Sequence, residues 1–471
     1  MINNLITKIR EWWNSMFDYD KIKTDFGLDI ETSKELMDAV QDWSRIYNGC
    51  GNWLNKEKNI VSLQLPKTIS EKIAEAVVNE FKYTCTEPTV DKFIKKFMKN
   101  LQENVELMVG KSFIYFKPYF DGTKISISVI QADKFIPVKF SDDGELLSCI
   151  IIDQITEEGT LYTRLEYSEI KDNVMTVKNI AYKGRKDGVI LSSKIDLKMV
   201  DKWKDIEPIQ SIEGIDRLIG GFATVPVTNL IDNYSPIGMP VWFKALDTIK
   251  EVDKQFSRIL WEFEGTELAL DVDETILEFD SAKNKYKMPS RNSRLFRKFA
   301  FGEEDKKYNV YSPEIRDTSL FNGLNEELRL VEVQCHLEHG TLCKAEVSPK
   351  TAQEIRQMKQ SFYTTVSNIQ GVIQTALDDL VYGIYVLCKL YGIPVQSDYS
   401  VEYDWDDSIL VDKDSQRNSA LLERNNKITS DVQYIMETRN MKEKEAVEFV
   451  KRQLKYRQLT EEDTKEEEVP E

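Results

Sequence analysis

The segment behind Pro349 constrains this chain more than any other. Pro349 fits the first turn of a helix, and TAQEIRQMKQSFYTTVSNIQGVIQTALDDLVYGIYVLCKLYG behind it spaces its apolar residues for a helix over 350–392. Such a helix is roughly 40 residues long, far above the usual length, and needs a packing partner along its whole extent. The rest of the chain has to supply that partner. With 471 residues, it divides into two or three structural regions. A hydrophobic fraction of 41% with 10% aromatics is that of a folded chain. Only the closing acidic run EEDTKEEEVPE, 461–471, is expected to lack order.

Before the long helix the pattern changes twice. LITKIREWWNSMF, ELMDAVQDWSRIYNG, TISEKIAEAVVNEF and VDKFIKKFMKNLQENVELMV each space apolar residues three or four apart, predicting four helices up to residue 109. From Gly110 the period becomes two: KSFIYFKPYF and TKISISVIQ flank Asp121-Gly122, a hairpin signal. Further strand-like segments reach about Val227, so 1–237 reads as an α+β region. After SPIGMP the period returns to helical over 238–264, with Trp242, Leu246, Ile249, Phe256 and Leu260 on one stripe. Residues 265–316 are turn-rich and strand-like. Over 317–340 a second helix carries Leu324, Leu328 and Val331 on its stripe.

Several kinds of chemistry are excluded or weakened. A net charge of −17 argues against tight indiscriminate nucleic-acid binding, whose affinity comes from Lys and Arg displacing counterions. It leaves room for a conduit that DNA passes without sticking. Six scattered cysteines, and no positive region leading into an apolar one at the start, point to a reducing intracellular setting. The run LVYGIYVLCKLYG is too short for a membrane span, and none is expected. Gly110-Lys111-Ser112 fails as a phosphate loop, because Val105 stands where its first glycine is needed and a strand follows. The pairs Asp142-Asp143, Asp378-Asp379 and Asp406-Asp407 are expected on solvated faces, since neighbours in a helix point apart.

Both histidines lie in CHLEHGTLC, where Cys335, His336, His339 and Cys343 offer zinc-type donors. Gly340 interrupts the helix before Cys343, no Cys-x-x-Cys anchors the set, and Cys335 belongs to the apolar stripe. The expectation is therefore a helix-to-loop hinge ending at Gly340, with no metal, no cofactor and no catalytic residue.

The order of these parts resembles the phage portal proteins of tailed phages of Gram-positive bacteria, the SPP1/A118-like group. The resemblance rests on ELMVGKSFIYFKPYFDGTKISISVIQADKFIPVKFSDDGEL (106–146), LNEELRLVEVQCHLEHGTL (324–342), KTAQEI (350–355), DSILVDKDSQRN (407–418), KITSDVQYI and KEKEAVEFVKRQ. It implies an α+β portal fold: an α/β wing (1–237), stem helices at 238–264 and 317–340, a small α/β clip (265–316), a tunnel loop (341–349), a long wing helix (350–392) and a helical crown (393–460). It implies a ring, usually of twelve subunits, at one capsid vertex, assembled in the host cytoplasm for packaging and ejecting double-stranded DNA. Implied partners are the terminase large subunit, the head-tail adaptor or connector, and the major capsid and scaffolding proteins. On this plan Thr341, Leu342, Lys344, Glu346 and Ser348 face DNA. Lys283, Lys285, Lys287, Arg291, Arg294, Arg297 and Lys298, from an acid-free stretch, dock partners, and the apolar stripes pack the stem. The alternatives are another structural virion component, a minor capsid or head-tail adaptor protein, and, more weakly, a metal-dependent hydrolase.

Overall fold

A computed structural model describes residues 19–54, 59–79, 81–184, 190–273, 278–280, 285–287, 296–299, 308–344, 352–405, 420–426, 428–439, 441 and 443–466. Of these, 278–280, 285–287, 296, 298–299, 352–359, 437, 439 and 456–466 are described by backbone alone. The chain forms two compact units, Met1–Asp404 and Trp405–Glu471.

The larger unit opens with α1 (Tyr19–Phe26), α2 (Lys34–Tyr47), α3 (Leu65–Val77), α4 (Pro88–Lys99) and α5 (Leu101–Lys111). Caps set their starts: the Ser33 hydroxyl accepts from Leu36 N at 3.4 Å, and the Glu87 carboxylate accepts from Thr89 N at 3.1 Å just before Pro88. The run 90–109, expected as one helix, breaks at Asn100, whose ψ of 16° ends α4 and starts α5. Periodicity could not show the break, because each half keeps its own stripe: Val90, Ile94 and Phe97, then Leu101, Val105 and Met108. The first expected helix, LITKIREWWNSMF, lies outside the described residues.

The hairpin forms as expected from β2 (Phe113–Phe120) and β3 (Ile125–Gln131). At its turn the Asp121 carboxylate accepts from Lys124 N and Thr123 N, both at 3.0 Å, and those bonds hold it well below the usual carboxylate range. β10 (Gly221–Thr224) pairs on the other side of β2. Gly110-Lys111-Ser112 is the passage from α5 into β2, and Lys111 Nζ donates to Gln131 Oε1 at 2.7 Å. A larger antiparallel sheet runs through β4 (Phe135–Phe140), β5 (Leu146–Glu157), β6 (Thr160–Lys171), β7 (Val174–Lys183) and β8 (Ser193–Ile195), with β9 (Ile209–Glu213) also on β7. Buried Glu166 ties the two sheets by pairing with Lys117 of β2 and, at 2.9 Å, with Arg164. Burial would raise the Glu166 carboxyl, but these two cations hold it below its ordinary value.

Two helices, α6 (Leu246–Gly265) and α7 (Asp317–Gln334), come next in the chain, and the long helix is α8 (Ala352–Leu390). Val366, Ile369, Ile373, Leu377, Leu380 and Ile384 are fully buried on one stripe of α8. It packs against α3, α4, β2, β3 and β10. Gln370 Nε2 donates to Val77 O at 3.2 Å. Over Gln360–Leu390 the helix is long and apolar enough to cross a bilayer, unlike the shorter run read from the sequence, but its stripe is occupied by the unit's own core. Asp379, expected on a solvated face, pairs with Arg217 at 3.0 Å. After its last residue, Leu390, the helix is closed by Gly392, with φ +68°, and by Ile393 N donating to Cys388 O at 2.8 Å. Beyond it, β16 (Val401–Asp404) pairs with β1 (Lys82–Cys85), so 393–404, assigned to the crown in the sequence reading, lie in the larger unit.

In the smaller unit Asp431–Arg439 and Glu443–Glu466 are helices that pack together, with Ala446 buried and Arg424 bonded to Asp431 at 2.6 Å. The second helix continues through 461–466, into the run expected to lack order, because Glu and Lys there are good helix formers. Residues 467–471 lie outside the described set.

Gly221 carries the closest approach between β10 and α8. A Cβ there would run into the backbone carbonyl of Ala376, which neither element can yield without moving. Gly221→Ala is expected to cost about 3 kcal/mol or more, read as a lowered denaturation midpoint in urea.

Candidate functional site: an antiparallel helix pair and the loop at its end

Helices α6 and α7 face each other within the larger unit and run antiparallel. Thr248 Oγ1 donates to Gln334 Oε1 at 3.0 Å at one end, while at the other Arg316 grips Glu262 with both Nε and Nη2, at 3.0 and 2.7 Å. Phe263 and Phe321 sit 6.3 Å apart between centroids near that second end. Buried Asp253 fastens α6 to the body by accepting from Trp53 Nε1 at 2.9 Å and Leu63 N at 2.8 Å.

The expected stripes land unevenly. Trp242 is not on the helix: it lies in a preceding 3-10 turn, fully buried, and donates from Nε1 to Gly110 O at 3.1 Å. The prolines and glycine of SPIGMP delay the helix to Leu246, eight residues after the expected start at 238. Ile249, Leu324 and Val331 are buried, Leu246, Phe256 and Leu328 half-buried, and Leu260 is exposed. Three large apolar side chains on the outward faces are also open to solvent, Trp261, Leu330 and Val333 at 68%, 52% and 68%, among exposed charged pairs such as Glu251–Lys254 and Glu326–Arg329. Sequence periodicity missed these three because single apolar residues among charged ones make no stripe of their own.

Between the helices, β11 (Ala269–Asp273) pairs parallel with β14 (Phe296–Phe299) and antiparallel with β15 (Tyr308–Tyr311), while β12 (Glu278–Asp280) pairs with β13 (Lys285–Lys287). Of the basic residues, Lys283, Arg291 and Arg294 lie outside the described set; Lys285, Lys287 and Lys298 are placed on strands by backbone only. Arg297 donates from Nε to Asp271 at 2.8 Å and stacks 4.2 Å from the Tyr311 ring centre. Its guanidinium is thus paired within the small sheet, with the side chain 39% exposed.

The helix-to-loop hinge is built differently from the expectation. α7 stops at Gln334, not at Gly340. His336 takes the left-handed conformation, φ +55°, with His336 N bonded to Val333 O at 3.3 Å and Leu337 N to Glu332 O at 2.9 Å. This is a Schellman closure with histidine in the place that glycine usually fills. A side-chain contact accompanies it, since His336 Nδ1 and Ser361 Oγ of α8 are 2.8 Å apart.

Buried Glu332 organises the loop beyond the hinge. Its Oε1 accepts from Leu342 N at 2.5 Å and Cys343 N at 2.9 Å, and its Oε2 from Gly340 N at 3.1 Å and Cys343 Sγ at 3.0 Å, with His339 Nδ1 at 3.2 Å. Burial would raise this carboxyl, but the Cys343 and Leu342 amides keep it below its ordinary value. The Cys343 thiol is pushed up to about 11 by burial and by its bond to Glu332. Of the four zinc-type donors read from the sequence, the fold joins only His339 and Cys343. Cys335 is buried, its thiol pushed up to about 12 by burial, and His336 faces Ser361. Glu332 was missed. The available signal was a carboxylate in the last turn of a helix, where the helix dipole disfavours it.

Of the residues expected in the loop, Thr341 and Leu342 are half-buried and Lys344 is exposed, with Lys344 N bonded to Asn325 Oδ1 at 2.6 Å. Glu346 and Ser348 lie outside the described set. Backbone conformation makes position 336 testable. His336→Val is expected to lower stability by about 1–2 kcal/mol, because a β-branched residue resists positive φ, whereas His336→Gly should change thermal unfolding little.

The family model described as phage portal protein, SPP1 Gp6-like, matches residues 29–459. No curated protein matches the chain. Among solved structures, the neck of a native GTA particle computed with C12 symmetry is similar at 10% identity and a TM-score of 0.39, over 79% of this chain and 89% of that one; a likeness so distant adds nothing to the assignment. The family match spans the α+β body, the antiparallel helix pair, the loop and the long helix, and on that match the chain belongs to the phage portal protein family, SPP1 Gp6-like.

Proposed function

We propose that the chain assembles into a closed ring of about twelve copies that forms the DNA channel at one capsid vertex. The observation that supports this reading is large apolar side chains left open on the helix pair: Trp261, Leu330 and Val333 on its outward faces, and Phe263 and Phe321, at 43% and 46% exposure, at one end between the helices. Several large apolar side chains left open on one helix pair mark it as an association surface. In a ring each pair meets its neighbours on both sides, so a helix needs apolar residues on two sides. The net charge of −17 suits a wall past which DNA slides, because few counterions are released on contact.

In this reading α6 and α7 are the stem, 266–316 the clip, and the segment following Gln334 the tunnel loop, with Lys344 its described cation. The body up to 245, together with α8, is the wing, and the crown begins after Asp404. The clip docks the terminase large subunit during packaging and the head-tail connector afterwards. The ring's other partners are the major capsid protein and, during assembly, scaffolding protein. The role is structural, as in the family, and no step of bond chemistry is assigned to any residue.

Native mass spectrometry tests the ring. Wild-type protein is expected near twelve copies, whereas Leu330→Lys with Val333→Lys is expected to give monomers with unchanged far-UV circular dichroism. A stable wild-type monomer at micromolar concentration contradicts the proposal.

Partner docking is tested by reversing Lys283, Lys285 and Lys287 to Glu while leaving Arg297 in its pair with Asp271. Rings should persist, and binding of purified terminase or connector should weaken, mostly through slower association at low salt. Loss of the ring itself would make this patch a contact between subunits.

A further inference from the structure

Glu332, His339 and Cys343 reach one point from separate parts of the backbone. Glu332 comes from the last turn of α7, and His339 and Cys343 stand on either side of the Gly340-Thr341 turn that folds back over it. Their donor atoms form a small triangle: Oε2 to Sγ 3.0 Å, Oε2 to Nδ1 3.2 Å and Sγ to Nδ1 3.5 Å. Each can offer an ion a lone pair: the carboxylate as it stands, Nδ1 in the tautomer protonated at Nε2, and Sγ once the thiol has lost its proton. A tetrahedral ion at about 2.3 Å from sulfur and about 2.0–2.2 Å from nitrogen and oxygen would hold such atoms roughly 3.3–3.6 Å apart. The triangle needs to open by only about 0.5 Å at its shortest edge to take one.

The surroundings also fit. Leu342 N and Cys343 N hold Oε1, and Gly340 N holds Oε2, so the carboxylate is already oriented by bonds that a cation leaves intact. Glu332 and Cys343 are buried, while the His339 side chain is 20% exposed and gives the site a way in from solvent.

We propose that Glu332 Oε2, His339 Nδ1 and Cys343 Sγ bind one divalent cation of the zinc class, with water in the fourth position. Thiolate with imidazole selects such an ion over magnesium or calcium, which prefer oxygen. The thiol proton passes to solvent when the ion enters. Bound there, the ion fastens the first residues of the loop to the end of α7. This differs from the ligand set weighed from the sequence, since Glu332 replaces Cys335 and His336 takes no part. The proposal does not depend on ring formation.

The test uses the full chain, purified without chelators and without a histidine tag. Mass-spectrometric metal analysis should find about one zinc per chain, and metal-stripped protein titrated with Co2+ should develop a near-ultraviolet thiolate-to-cobalt absorption saturating at about one equivalent. Cys343→Ser keeps a hydroxyl donor for Glu332, so it should stay folded while losing the absorption and binding about tenfold or more weakly. His339→Gln should also weaken binding, and Cys335→Ser should not. A wild-type chain that retains no zinc and shows no cobalt absorption overturns the proposal. So does an absorption that persists unchanged in Cys343→Ser, which would place the ion elsewhere as an adventitious one.

Discussion

Burial of one helix's apolar stripe holds the larger unit together. Six side chains from Val366 to Ile384 lie fully inside, and α3, β2 and β10 are arranged around them. A helix of 39 residues has little stability of its own in water, so its order is a consequence of this packing. The packing in turn depends on a missing side chain, because Gly221 lets the backbone of β10 close on Ala376. Along the same helix, Ser361 meets His336 and Asp379 meets Arg217, so the helix also fixes the hinge and the loop ahead of β10. Sheet-to-sheet registry has a polar counterpart in Glu166, whose charge is stabilised by Lys117 and Arg164 rather than by water.

The helix pair divides into a part that belongs to the body and a part that does not. Near its start, α6 buries Ile249, Val252 and Asp253, and Asp253 accepts from Trp53 and Leu63. Burial raises the Asp253 carboxyl, so the hydrogen bonds there offset a real desolvation cost. Toward its end, Leu260, Trp261 and Phe263 are open to solvent. Among the described residues this end has exposed apolar surface, the Phe263–Phe321 contact and a two-toothed ion pair, Arg316 on Glu262. That imbalance within one pair of helices is the physical ground for reading the surface as an association face.

At the opposite end of the pair one carboxylate does the organising. Glu332 sits where the dipole of α7 is unfavourable to it, and it stays there because the amides of Gly340, Leu342 and Cys343 all point at it. The loop therefore leaves the helix in a defined direction, and the same bonds bring His339 and Cys343 within reach of its oxygen.

Local periodicity determined much of this protein by itself. The long helix, the hairpin at Asp121-Gly122, the passage of Gly110-Lys111-Ser112 into a strand and the two helices flanking a strand-rich insertion were all legible, because each follows from contacts between residues close in sequence. So was the family, from the order of its short motifs, and the α+β class with it. Tertiary structure decided the rest. Asn100 splits a continuous helical pattern, and Trp242 belongs to the body because its indole finds Gly110 O, more than a hundred residues away. Arg297 is committed to Asp271 across a parallel strand pair. Cys335 and His336 sit between Glu332 and His339 in the sequence yet point elsewhere, because a left-handed histidine turns the chain there. Which side chains converge depends on such turns and on distant partners, and neither leaves a period in the sequence.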